Sequence, residues 1–168
     1  LKKDIRNIAK EYVNKMVDHG NECDFAKDVA IFYPLRVIMS ILGVPKEDEP
    51  RMLRLTQELF GGRDEDMIRD ESETSSESNT ITDFFEYFTA LTEDRRKNPT
   101  NDVSSVIANA QINNEQLGHL EAMSYYVIIA TAGHDTTSSS TAGGILALIE
   151  NPEQLSKLKN NPSLMTSA

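Results

Sequence analysis

Tyr125-Tyr126-Val127-Ile128-Ile129-Ala130-Thr131-Ala132-Gly133-His134-Asp135-Thr136-Thr137-Ser138-Ser139-Ser140-Thr141 is the stretch that decides the fold. Tyr125 to Ala132 is apolar almost all round, which predicts a helix buried centrally. The nine residues after it are a glycine, His134, Asp135 and six hydroxyl side chains. In a helix interior glycine costs about 1 kcal/mol relative to alanine, and Ser and Thr compete for backbone carbonyls. A buried helix accumulates such residues for a local reason. One reading turns the Thr136 hydroxyl onto the Ala132 carbonyl, one turn back, and opens a small ligand groove where Gly133 has no side chain. Asp135 then projects about 100° away around the axis, toward solvent, while Thr136 faces an interior pocket. A carboxyl that exchanges protons with water, beside a hydroxyl that passes them on, suits relayed proton delivery. A plainer reading fits the same residues: Asp135 pairs with a base elsewhere, and the Ser/Thr run packs on another helix.

The flanking pattern is helical throughout. Ile5, Ile8, Ala9, Tyr12, Val13, Met16 and Val17 recur at three- and four-residue steps, so residues 1–19 predict a helix ended by Gly20. Cys23 to Ala26 reads as a strand or loop, and Val29 to Val44 as a mostly buried helix with Pro34 near its first turn. Further helices are predicted over 46–60 and 81–96, over a short segment through Ala108 capped by Asp102, and over 152–159. A single very long helix from an Asn114 cap to Glu150 completes the set. With no repeat and no hairpin signal, the fold class is all-α. Residues 63–79 hold seven acids and two bases and are rich in Ser, which predicts an acidic surface loop.

Composition removes several functions. The chain carries 27 Asp plus Glu against 17 Lys plus Arg, a net charge of −10, which disfavours a nucleic-acid partner. The longest apolar run, Tyr125 to Gly133, is nine residues, whereas a membrane span needs about 20. Cys23 is the only cysteine, so there is no disulfide framework, and a reducing, cytoplasmic setting fits. His19, His119 and His134 lack metal-ligand spacing, and no G-x-S-x-G elbow or phosphate-binding loop is present. A chain of 168 residues predicts one domain.

Ala132-Gly133-His134-Asp135-Thr136-Thr137 resembles the central distal helix of the cytochrome P-450 family, the haem-thiolate monooxygenases. Their pattern there is Ala or Gly, Gly, any residue, Asp or Glu, Thr, then Thr or Ser. The resemblance extends in order along the chain. It takes in Tyr33-Pro34-Leu35-Arg36, Leu42-Gly43-Val44-Pro45, Glu47-Asp48-Glu49-Pro50, Glu93-Asp94-Arg95-Arg96 with Asn98-Pro99, Asp102-Val103, and Asn151-Pro152-Glu153-Gln154. These segments are similar to soluble bacterial members. Leu55 to Gly61 and Tyr125 to Ser140 are most similar to members that hydroxylate terpineol.

The resemblance implies the middle of the family fold, a single incomplete domain over 1–168. The cysteine loop that ligates haem iron and the E-x-x-R pair would both lie outside it. Glu93 and Arg96 spell E-x-x-R but precede the distal helix, and Cys23 sits in no ligand motif. By the same resemblance Thr136 stabilises dioxygen over the haem and Asp135 feeds it protons. Ala132 and Gly133 line the oxygen groove, and Ile128 touches haem or substrate or is simply a core residue. His134, at the variable position, is expected to be packed or hydrogen-bonded and not an iron ligand. The implied activity is hydroxylation of a small apolar substrate, a terpenoid, with O2 and electrons from a ferredoxin-type donor. The isolated chain is expected to be inactive. The alternative is a non-catalytic helical binding or scaffold module derived from such an enzyme.

Overall fold

The computed structural model describes residues 2–20, 22–61 and 77–166. Eight α-helices account for most of them: α1 (Lys2–Asp18), α2 (Phe32–Leu42), α3 (Glu49–Gly61), α4 (Glu77–Lys97), α5 (Val103–Ala108), α6 (His119–Ala132), α7 (Asp135–Glu150) and α8 (Pro152–Asn160). A π-helical turn, Phe25–Ala30, leads into α2, and 3₁₀ turns occupy Lys46–Asp48 and Pro162–Thr166. The all-α expectation holds. The predicted acidic loop over 63–79 falls largely outside the described residues. Its last three positions already belong to α4, since acidic and hydroxyl residues suit the first turn of a helix as well as a loop.

Two predicted boundaries are overturned. The long helix from Asn114 to Glu150 is two helices, α6 and α7, broken at Gly133 and His134. Nor does α6 start at Asn114. Asn113 and Asn114 adopt positive φ, 54° and 66°, and turn the chain between two short antiparallel strands, β1 (Gln111–Ile112) and β2 (Glu115–Gln116). Adjacent asparagines are among the few side chains that tolerate this conformation, so Asn113-Asn114 was the missed hairpin signal. The helix then begins after Gly118, whose N–H donates to the Glu121 carboxylate at 2.8 Å.

The core is where α2, α3, α4, α5 and α6 meet. Leu35, Met39 and Leu42 of α2, Met52 and Leu55 of α3, Phe84 and Phe88 of α4, and Met123, Tyr126 and Ala130 of α6 are buried together. The Phe88 and Tyr126 rings stack with centroids 4.5 Å apart. The Tyr126 hydroxyl accepts from Thr92 at 3.1 Å and donates to the Ser104 carbonyl at 3.4 Å, so its polar end is satisfied inside the core. A second cluster, Ile8, Tyr12 and Val29, holds α1 against the π-helical turn.

A polar knot fixes the far ends of these helices. Gly43 ends α2 with φ +71°, and the Ser104 hydroxyl of α5 donates to the Leu42 carbonyl just before it. Arg95 donates to the Gly43 carbonyl at 3.1 Å and to Asp102 at 2.7 Å, while Asp102 caps α5 through the Ser105 N–H at 2.7 Å. Burial pushes the Asp102 carboxyl upward. Hydrogen bonds from Thr100, the Ser105 amide and Arg95 outweigh that and hold it below the usual carboxylate value. A β-carbon at Gly43 would lie 2.0 Å from the Asp102 carboxylate, in a conformation that L-residues avoid. Gly43→Ala is therefore expected to cost at least about 2 kcal/mol of stability, read as a lowered urea midpoint at unchanged slope.

Candidate active site

The break between α6 and α7 has a definite geometry. Gly133 (φ −92°, ψ −8°) and His134 (φ −88°, ψ −71°) leave the helical ladder. The His134 N–H reaches back only three residues, to the Thr131 carbonyl at 3.2 Å, and the ladder resumes with Ser138 N–H on the His134 carbonyl at 2.9 Å. The Thr136 hydroxyl donates to the Ala132 carbonyl at 3.0 Å, as the sequence predicts. Thr131 and Thr141 bond back to Val127 and Thr137 in the same manner, each at 2.6 Å. These hydroxyls compete for carbonyls along the rod, and that competition favours bending.

Two neighbours hold the break open from outside. A β-carbon on Gly133 would come within 2.9 Å of Ile38 Cδ1, so glycine admits α2 against the junction. The direction freed by its missing side chain thus faces Ile38, where the sequence reading placed a ligand groove. His134 is only 2% exposed, and its Nε2 lies 2.9 Å from the Ile31 carbonyl at the end of the π-helical turn. The expectation of a packed, hydrogen-bonded histidine is met. Ile31 and Ile38 are the site residues that sequence reasoning missed: one contributes a carbonyl and the other a methyl, and neither carries a motif.

The remaining candidate residues share a surface. Ile128, Ala132 and Thr136 follow one another at four-residue steps on the same stripe, and all three are exposed. Asp135 is exposed too, with its Oδ1 3.6 Å from His134 Nδ1. This corrects two expectations. The apolar segment is not buried all round, since Tyr125 and Ile128 are 50% and 59% exposed, and Thr136 faces no cavity enclosed by the described residues. The physical reason is one-sided packing: the other helices cover Ala122, Met123, Tyr126 and Ala130 and leave the opposite side of α6 bare. No ion pair of Asp135 with a distant base is found among the described residues either, where its neighbour is the His134 ring.

A helix broken at Gly-His-Asp-Thr, with a threonine hydroxyl turned onto the carbonyl one turn back, now stands beside direct comparison. The family model for cytochrome P450 matches residues 7–163. The chain belongs to the cytochrome P450 family. It is 44% identical to Cytochrome P450-terp of Pseudomonas over 98% of this chain and 40% of that protein. It is also similar to the crystal structure of CYP108D1 from Novosphingobium aromaticivorans, with a TM-score of 0.82 and 44% identity over 96% of this chain and 37% of that one. The structure of the Bacillus subtilis polyketide synthase cytochrome P450 PksS aligns with a TM-score of 0.84 and 29% identity, covering 100% of this chain and 41% of the other. The chain thus spans about 40% of the length of the curated relatives it matches.

Cytochromes P450 carry haem, and the exposed stripe suits one face of it. Ile128 and Ala132 expose apolar side chains one turn apart, and the Thr136 hydroxyl follows one turn later. The stripe offers no thiolate. Cys23 is exposed in the loop ahead of the π-helical turn, and among the described residues no cluster of three His, Cys, Asp or Glu is arranged to hold a metal ion. Glu93 is exposed, and Arg96 donates to the Ala108 carbonyl at 3.1 Å, so their E-x-x-R spelling has no structural counterpart. No helix among the described residues is long and apolar enough to cross a membrane.

Proposed function

We propose that this chain is the oxygen-side portion of a haem-dependent monooxygenase that hydroxylates a small apolar substrate. The carrying observation is the break at Gly133 and His134, with the Thr136 hydroxyl on the Ala132 carbonyl and the Asp135 carboxylate beside it. A haem held against this stripe supplies the binding and reductive cleavage of O2. Ile128 and Ala132 meet the haem face or substrate and keep water away from it, and Gly133 lets Ile38 of α2 pack against the break. Asp135, open to solvent, takes protons from water at its carboxylate oxygens. The Thr136 Oγ1 donates its one proton to the Ala132 carbonyl and keeps its lone pairs free, so it can accept a hydrogen bond from a proton donor placed over the stripe and orient it there. A terpenoid substrate is supported by the similarity to Cytochrome P450-terp. A ferredoxin-type electron donor remains part of the reading through family resemblance.

Thr136→Ala in the full-length protein tests this. The fraction of reducing equivalents recovered as hydroxylated product is expected to fall by about an order of magnitude or more, the balance appearing as hydrogen peroxide. An unchanged product yield per electron pair would falsify the role of Thr136.

A further inference from the structure

We propose that His134 is a positioning residue for Asp135: anchored through Nε2 to the Ile31 carbonyl, it presents Nδ1 to the carboxylate and fixes where that carboxylate stands. The inference deepens the function proposed above and rests on it.

The ring is almost wholly buried, whereas the residues on either side of it are not. A backbone carbonyl can only accept, so the 2.9 Å contact to Ile31 requires the proton on Nε2. In a neutral ring Nδ1 is then a bare acceptor, and it is a buried nitrogen without a hydrogen-bond partner. Its polar neighbour is Asp135 Oδ1, at 3.6 Å. That separation exceeds a direct hydrogen bond, and two acceptors facing each other attract only when one of them carries a proton. One turn further along the same face the Ser138 hydroxyl is also buried and without a partner. A buried polar atom left without a partner is costly. The anchor explains how position survives at a broken helix. Residues 133 and 134 lack the normal ladder, and Ile31 and Ile38 replace it from the neighbouring element. Asp135 rides directly on that fixed point, although its own side chain is exposed.

Three substitutions separate anchoring from positioning in the full-length protein. His134→Gln keeps a donor near the Nε2 position and removes the atom facing Asp135. His134→Asn does the reverse, and His134→Phe removes both. With ring-labelled histidine in mildly alkaline buffer, the nitrogen-15 signal that disappears in His134→Gln is expected to show an Nε2–H tautomer. Its Nδ1 resonance should move in Asp135→Asn. An Nδ1–H tautomer, or an Nδ1 resonance indifferent to Asp135→Asn, overturns the proposal. In turnover, His134→Gln is expected to fold normally yet lose about tenfold in product per electron pair, the scale on which outer residues orient a reacting group. Wild-type coupling in His134→Gln overturns it as well. If Thr136→Ala leaves coupling intact, the proposed function fails, while the nitrogen-15 result still decides whether His134 and Asp135 communicate.

Discussion

Asp135→Asn in the full-length protein is expected to lower the hydroxylation rate by about a hundredfold, near 2.7 kcal/mol of barrier, with little change in substrate affinity. Asparagine keeps the size of the side chain and an acceptor oxygen beside His134, but it cannot exchange a proton with water. The Asp135 side chain is 60% exposed and stands one residue from the Thr136 hydroxyl, so proton supply is what the substitution removes. The rate should become more sensitive to replacing water with deuterium oxide, because delivery would pass to a slower route. Comparing turnover in the two solvents, alongside a substrate titration, checks this. A rate within a factor of two of the parent protein would assign Asp135 a structural part only.

The second large effect concerns stability. Tyr126→Ala is expected to cost about 3–5 kcal/mol, a large share of the stability of an ordinary domain. The ring is fully buried and stacked on Phe88, and its removal leaves a cavity between α4 and α6. It also removes one donor to the Ser104 carbonyl and one acceptor from Thr92. Tyr126→Phe isolates the polar share, about 1 kcal/mol, because the stacked ring remains. Denaturant titration of both variants separates the two contributions. Equal stability of the two would mean that the ring's packing contributes nothing.

Local rules made much of the architecture legible. The caps at Gly43 and Asp102, the proline that opens α8, and the buried Phe84 and Phe88 all follow from side-chain chemistry acting within one or two turns. The family pattern around Asp135 and Thr136 was equally readable, and comparison with known cytochromes P450 supports that identification. Apart from the local turn at Asn113-Asn114, expectation failed at contacts between distant parts of the chain. A periodic apolar pattern says that a face is suited to burial, not that a neighbour exists to cover it, so Tyr125 and Ile128 are exposed despite their hydrophobicity.

From the order of residues alone came a helical protein, a rod softened by glycine and hydroxyl groups, and a carboxylate next to a threonine, because each depends on neighbours a few positions apart. Tertiary structure alone decided that the rod is cut in two, and that Ile31 and Ile38 hold the cut from 103 and 95 residues away. It also decided which side of α6 is left open. These outcomes depend on the approach of α2 and the π-helical turn, and periodicity within a segment carries no information about what packs against it.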